Sequence, residues 1–164
     1  MKTKRVTMTA MFTAISLIIY VIEAQIPPVF TVPGIKPGLA NVVTLAAMAL
    51  LGRRSAGIVL FLRIVLASIF TGNAASFIYS ISGGICAYIV MGALIGRLPS
   101  RQLWVVSVLG AIAHNAGQLA ASALMLGSAA VLWYAPALII AGILAGTFTG
   151  LGAQVAIDRL NVLK

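Results

Sequence analysis

Arg63 stands in Leu62-Arg63-Ile64-Val65, inside an apolar run that opens after Gly52-Arg53-Arg54. Nine residues of helix past Arg54 would carry it about 13 Å along the axis, close to mid-depth in a bilayer. Insertion scales put the cost of a charge there at ~2.5–3.5 kcal/mol or more, so its retention points to function by default. A guanidinium at that depth can bind an anionic group, or cross-link helices by donating to carbonyls. A second polar group, His114, Asn115 and Gln118, interrupts another apolar run at Ala113-His114-Asn115-Ala116-Gly117-Gln118. His114 and Gln118 are four apart and share a helix face, with Asn115 one step round. These side chains can hydrogen-bond a polar ligand, or glue neighbouring helices, and Gly117 lets a ligand or another backbone come close. One His beside one thiol (Cys86) and almost no carboxylates makes a poor metal set, so no metal site is expected.

Glu23, beside Gln25, is expected near the outer end of the first apolar run, where it could neutralise Arg63 or Lys36. Asn41 follows Lys36 at the start of the second run, and Asn73, Ser76 and Tyr79 flank the start of the fourth. Lys36, Arg63 and His114 thus face one carboxylate, which favours an anionic or carbonyl-rich ligand. The candidate binding set is Glu23, Lys36, Asn41, Arg63, Asn73, Ser76, Tyr79, His114, Asn115 and Gln118, in a pocket expected to open outward. No catalytic residue is assigned and no cofactor is indicated. Paired carboxylates for metal–diphosphate chemistry, a phosphate loop and a nucleophile–base pair are all missing from the sequence. An enzyme is therefore not expected.

The elements that must hold these residues are membrane helices. Of the 164 residues, 62% are hydrophobic and 8% charged, too few charges to cover a soluble domain. In hydrocarbon the backbone must satisfy itself, and the long apolar runs lack the alternation of barrel strands. Six spans are expected, at about Thr7–Ile26, Leu39–Leu51, Ser55–Phe70, Ala74–Ile95, Leu103–Leu126 and Val131–Ile157. They form one domain over residues 1–164, its first span uncleaved. The second is short for a crossing, so part of the Pro27–Gly38 loop is expected to dip back into the membrane.

The net charge of +9 does not point to nucleic acid, because the basic residues lie in short gaps between apolar runs. Alternating the spans puts Lys2, Lys4, Arg5, Arg53, Arg54, Arg97, Arg101, Arg159 and Lys164 on one side and Lys36 on the other. By the positive-inside rule both termini are then cytoplasmic. Small residues at spacing four, Gly142, Gly146 and Gly150 above all, suit close helix packing. Ala10 and Ala14 could instead face a partner.

The segments Pro33-Gly34-Ile35-Lys36-Pro37-Gly38-Leu39-Ala40-Asn41, Leu62-Arg63-Ile64-Val65, Ser76-Phe77-Ile78-Tyr79-Ser80 with Gly83-Gly84, and Ala113–Gln118 together resemble the bacterial Gx transporter family. That family is also labelled heptaprenyl diphosphate synthase component I. Pro37 departs from its pattern, standing where an aliphatic residue is expected. The family is similar to the substrate-binding S components of energy-coupling-factor transporters. This resemblance implies a six-helix bundle in the bacterial cytoplasmic membrane, with an outward pocket capped by the loop after the first helix. It implies uptake of a small vitamin- or precursor-like molecule, with Ala10 and Ala14 against a transmembrane T component and two ATPase subunits supplying energy. It also leaves open an accessory membrane subunit of isoprenoid or quinone biosynthesis, or of flavin-linked electron transfer.

Overall fold

A computed structural model describes residues 2–25 and 36–162. Among the described residues the protein is all-α, with six α-helices: α1 (Lys2–Gln25), α2 (Asn41–Leu51), α3 (Arg53–Thr71), α4 (Ala74–Leu94), α5 (Leu103–Leu126) and α6 (Ala135–Val162). All except α2 are long and apolar enough to cross a membrane. The expected spans match these helices to within a few residues. The sixth starts later than expected, because Ala129–Tyr134 forms a 3-10 turn ahead of it. Ile26, Pro27-Pro28 and the loop through Ile35 lie outside the described residues.

The short second helix has a geometric explanation. Its C-terminal end meets the start of α1 and α3: Arg5 donates to the Leu51 carbonyl at 2.8 Å and to Ser55 Oγ at 2.9 Å. Its first residue, Asn41, instead accepts from Arg63, halfway along α3. Eleven residues rise about 16 Å, roughly half of a hydrocarbon core. The chain at Lys36–Ala40 therefore lies inside the bundle, and α2 completes the descent. Non-helical backbone at that depth is tolerated where protein encloses it.

Contacts at the Arg5 end fix the order of the remaining helices. Arg53 donates to the Ile95 carbonyl at 3.2 Å, and the Leu103 N–H donates to Gln154 Oε1 at 3.1 Å. Helix starts and ends bearing Lys4, Arg5, Arg53, Arg54, Arg97, Arg101 and Arg159 accordingly gather at one end of the bundle. At the opposite end Gly72, at φ +60°, donates to Ser68 O to close α3, and Asn73 caps α4 by accepting from the Ser76 N–H. That left-handed turn suits glycine.

Packing is tightest around α5, which lies between α4 and α6. A Cβ on Gly146 would stand 2.6 Å from Val108 Cα, and one on Gly150 would stand 2.7 Å from Trp104 Cα. On the other side a Cβ on Gly117 would meet the Ser82 carbonyl oxygen at 2.7 Å. Small residues let these backbones touch, the usual means of helix association without a hydrophobic drive. Leu45, Met48, Val59, Met91 and Val106 fill the interior toward the basic end. The outer faces are apolar, with Ile18, Phe61, Ile140 and Phe148 exposed as lipid contact requires.

Candidate functional site

Five elements converge halfway along the bundle, and each brings a polar group. α3 brings Arg63, which is 3% exposed and donates through Nη2 to Asn41 Oδ1 at 3.3 Å. α1 brings Glu23, also 3% exposed, whose Oε1 accepts from the Gly38 N–H and, at 3.2 Å, from the Leu39 N–H. The Asn41 side chain opens α2, and Lys36 to Ala40 lead into it. Helix α2 has no side-chain cap of its own. Glu23 thus supplies from another helix the negative charge that a helix N-terminus favours. Among the described residues Glu23 makes no ion pair within 4 Å, although Arg63 and Lys36 both attract it across the site.

Helix α5 brings His114 and Gln118. Gln118 Oε1 accepts from the Lys36 N–H at 3.2 Å, which turns its Nε2 toward His114 Nε2 at 3.0 Å. An amide nitrogen can only donate, so His114 accepts at Nε2 and carries its proton on Nδ1. The ring fits because two side chains are missing beside it. A Cβ on Gly38 would come within 2.6 Å of His114 Cδ2, and a Cβ on Gly83 within 2.6 Å of Nδ1. Gly38 also holds φ +76°, so the turn into α2 needs glycine twice over.

Helix α4 adds Ser76, whose Oγ is 2.8 Å from the Tyr20 hydroxyl. The Tyr20 ring lies 4.1 Å from the Lys36 ammonium, a cation–π contact that holds the lysine inside the bundle. Tyr79 is buried on the same face of α4 as Ser76 and Gly83. The enclosed cavity is bounded by Tyr20, Glu23, Lys36, Gly38, Arg63, Ser80, His114 and Gln118. Its volume is about 10 Å³, room for one water at most. Among the described residues the pocket expected from sequence is narrow, because Lys36–Leu39 lies between α1 and α5, bonded to Glu23 on one side and Gln118 on the other.

Two of the sequence candidates lie apart from this cluster. Asn115 turns toward α6, donating to the Leu138 carbonyl at 2.8 Å, and so joins two helices. Asn73 is an exposed cap at the end of the bundle. Ala10 and Ala14 are exposed on the outward face of α1. Sequence reasoning missed Tyr20, Gly38, Ser80 and Gly83 as site residues. Tyr20 was within reach, since it lies one helical turn before Glu23. Among the described residues no three His, Cys, Asp or Glu side chains gather as a metal site would need.

These observations define a multi-pass α-helical membrane protein with an occluded polar chamber at the centre of its bundle. The chain belongs to the heptaprenyl diphosphate synthase component I family, whose sequence model matches residues 12–156. No curated protein and no solved structure matches it.

Proposed function

We propose that the protein is a substrate-binding, S-component-like transport protein for a small anionic or polar molecule of vitamin or precursor size. The observation that carries this reading is the enclosure of Arg63, Glu23, His114 and Gln118 beneath a non-helical segment of chain at mid-bundle. Buried ionisable groups beside broken helical structure are how membrane transporters build ligand sites. In this reading Lys36–Leu39 is the gate, and its withdrawal makes room for ligand. Arg63 and His114 then hold the ligand's polar or anionic groups, with Asn41 and Gln118 hydrogen-bonding beside them.

The basic end of the bundle is read as cytoplasmic, with both termini inside a bacterial inner membrane. The exposed Ala10 and Ala14 fit a T-component contact, and two ATPase subunits would supply the energy. We take the synthase label as a family name and not as catalysis. The sequence has two acidic residues, and Glu23 and Asp158 lie far apart along the bundle. They cannot jointly hold the metal–diphosphate group that prenyl transfer uses.

Native mass spectrometry of protein purified from membranes tests the proposal. A small molecule retained by the wild type and lost from Arg63→Ala is expected. Equal retention in both would remove Arg63 from the site. A second reading, an accessory subunit of an isoprenoid, quinone or electron-transfer complex, draws on an apolar groove of about 230 Å³ between α3 and α4. Leu60, Phe61, Phe77 and Ile85 line it, a surface suited to an apolar tail. Co-purification with a prenyltransferase or redox partner, and no ATPase, would favour that reading.

A further inference from the structure

The chamber has more donors than acceptors, and the imbalance centres on Glu23. Its carboxylate serves the N–H groups of Gly38 and Leu39, the otherwise uncapped approach to α2. Opposite it, among the described residues, Arg63 makes one side-chain hydrogen bond and its Nε has no partner. The Nδ2 of Asn41 likewise has none. Both side chains are more than nine-tenths buried, and Arg63 borders the same cavity as Glu23 and Gly38. Buried donors of this kind are costly to leave unmatched, more so when charged. The Lys36 ammonium, held over the Tyr20 ring, adds a further positive charge. Two backbone N–H groups therefore already hold a carboxylate of the protein's own, while a guanidinium and an amide at the same cavity stay short of acceptors.

We propose that Glu23 is a resident stand-in for the ligand: the Gly38–Leu39–Arg63 cradle takes a carboxylate-bearing molecule, which binds by displacing Glu23. This rests on the transport reading and narrows its substrate class to carboxylates. Glu23 holds the gate shut when the site has no ligand. The incoming carboxylate takes over the two N–H groups and satisfies the spare donors of Arg63 and Asn41, with the segment drawn outward far enough to seat the rest of the ligand.

Chemical rescue tests this with formate as the probe. A Pro37→Cys reporter in a Cys86→Ser background is labelled with an impermeant maleimide in purified protein. Removing the carboxylate with Glu23→Ala is expected to raise the labelling rate about tenfold, from the loss of charged hydrogen bonds. Sodium formate should bring the rate back toward that of the parent, whereas formamide and sodium chloride at equal concentration should not. Adding Arg63→Ala should abolish the formate effect. Glu23→Gln keeps the side chain's shape, and formate should leave it unchanged because the amide occupies the place. If Glu23→Ala does not stay monodisperse, formate present during purification should restore it where formamide does not. Formate acting no differently from formamide, in labelling or in recovery, overturns the proposal. Formate rescue with no co-purified ligand would count against the transport reading alone. A ligand lost with Arg63→Ala but no formate effect would count against the stand-in alone.

Discussion

The Lys36 ammonium lies 4.1 Å from the centroid of the Tyr20 ring, and the Tyr20 hydroxyl is in turn bound to Ser76. A loop residue is thereby tied to α1 and, through it, to α4. A desolvated cation–π contact is worth about 2 kcal/mol and an exposed one about 0.5–1 kcal/mol. A double-mutant cycle with Lys36→Met and Tyr20→Leu should give a coupling of about 1–2 kcal/mol in detergent unfolding. Tyr20→Phe should keep most of that coupling, since the ring remains. Additive effects of the two substitutions would mean that Lys36 is held by something else.

The His114 ring occupies the space left by Gly83. Gly83→Ala should destabilise the bundle by roughly 1–3 kcal/mol, the usual range for overpacking. Adding His114→Ala, which removes the clashing ring, should recover part of that loss. The readout is thermal unfolding of the single and double variants. A double variant no better than Gly83→Ala alone would place the clash elsewhere.

Gly146 and Gly152 lie on the same helix in opposite circumstances. A Cβ on Gly146 would meet the Val108 backbone, whereas a Cβ on Gly152 would meet nothing within 4 Å. Gly146→Ala should lower the yield and melting temperature of folded protein, because α5 and α6 must separate. Gly152→Ala should match wild type or exceed it by about 0.5–1 kcal/mol, the advantage of alanine over glycine inside a helix. Equal behaviour of the two would contradict the close α5–α6 contact.

Asn115 and Gln118 also part company. Asn115→Ala removes an interhelical hydrogen bond, worth about 0.6 and at most ~1.7 kcal/mol inside membranes. It should lower stability while leaving retention of a co-purified ligand unchanged. Gln118→Ala, which frees the Lys36 N–H and the His114 ring, should reduce retention. Loss of ligand in both variants, at matched stability, would bring Asn115 into the site.

Topology reporters address the orientation. A fluorescent protein that matures in the cytoplasm should be bright when fused after Lys164. Alkaline phosphatase should be active when fused at Gly72 and inactive when fused at Pro99. The reverse pattern would invert the proposed sidedness.

The helices were legible in the sequence because hydropathy and basic gaps report lipid contact residue by residue. The pairing of His114 with Gln118 was legible for a similar reason, since four residues bring two side chains onto one face. Asn115, one residue on, is turned by about 100° and reaches a different neighbour, which spacing hints at without naming Leu138. Other features depend on contacts distant in sequence. Glu23 meets Gly38 and Leu39 only because the chain re-enters the bundle, so no local pattern could choose them over Lys36 or Arg63. Tyr20 joins the site through Lys36, which reaches it only because the chain re-enters the bundle. The closed chamber was illegible for the same reason as the Glu23 contact, since its volume is set by where the segment ahead of α2 comes to rest.

The three helices α4, α5 and α6 touch through backbone at Gly117, Gly146 and Gly150, where no side chain can yield. They form the unyielding jaw of a vice, with His114 and Gln118 as fixed teeth. Any widening of the chamber must then come from the opposite jaw: α1 with Glu23, α3 with Arg63, and the Lys36–Asn41 approach to α2. In the proposed transport reading, one jaw keeps the ligand's template while the other measures whether anything is held.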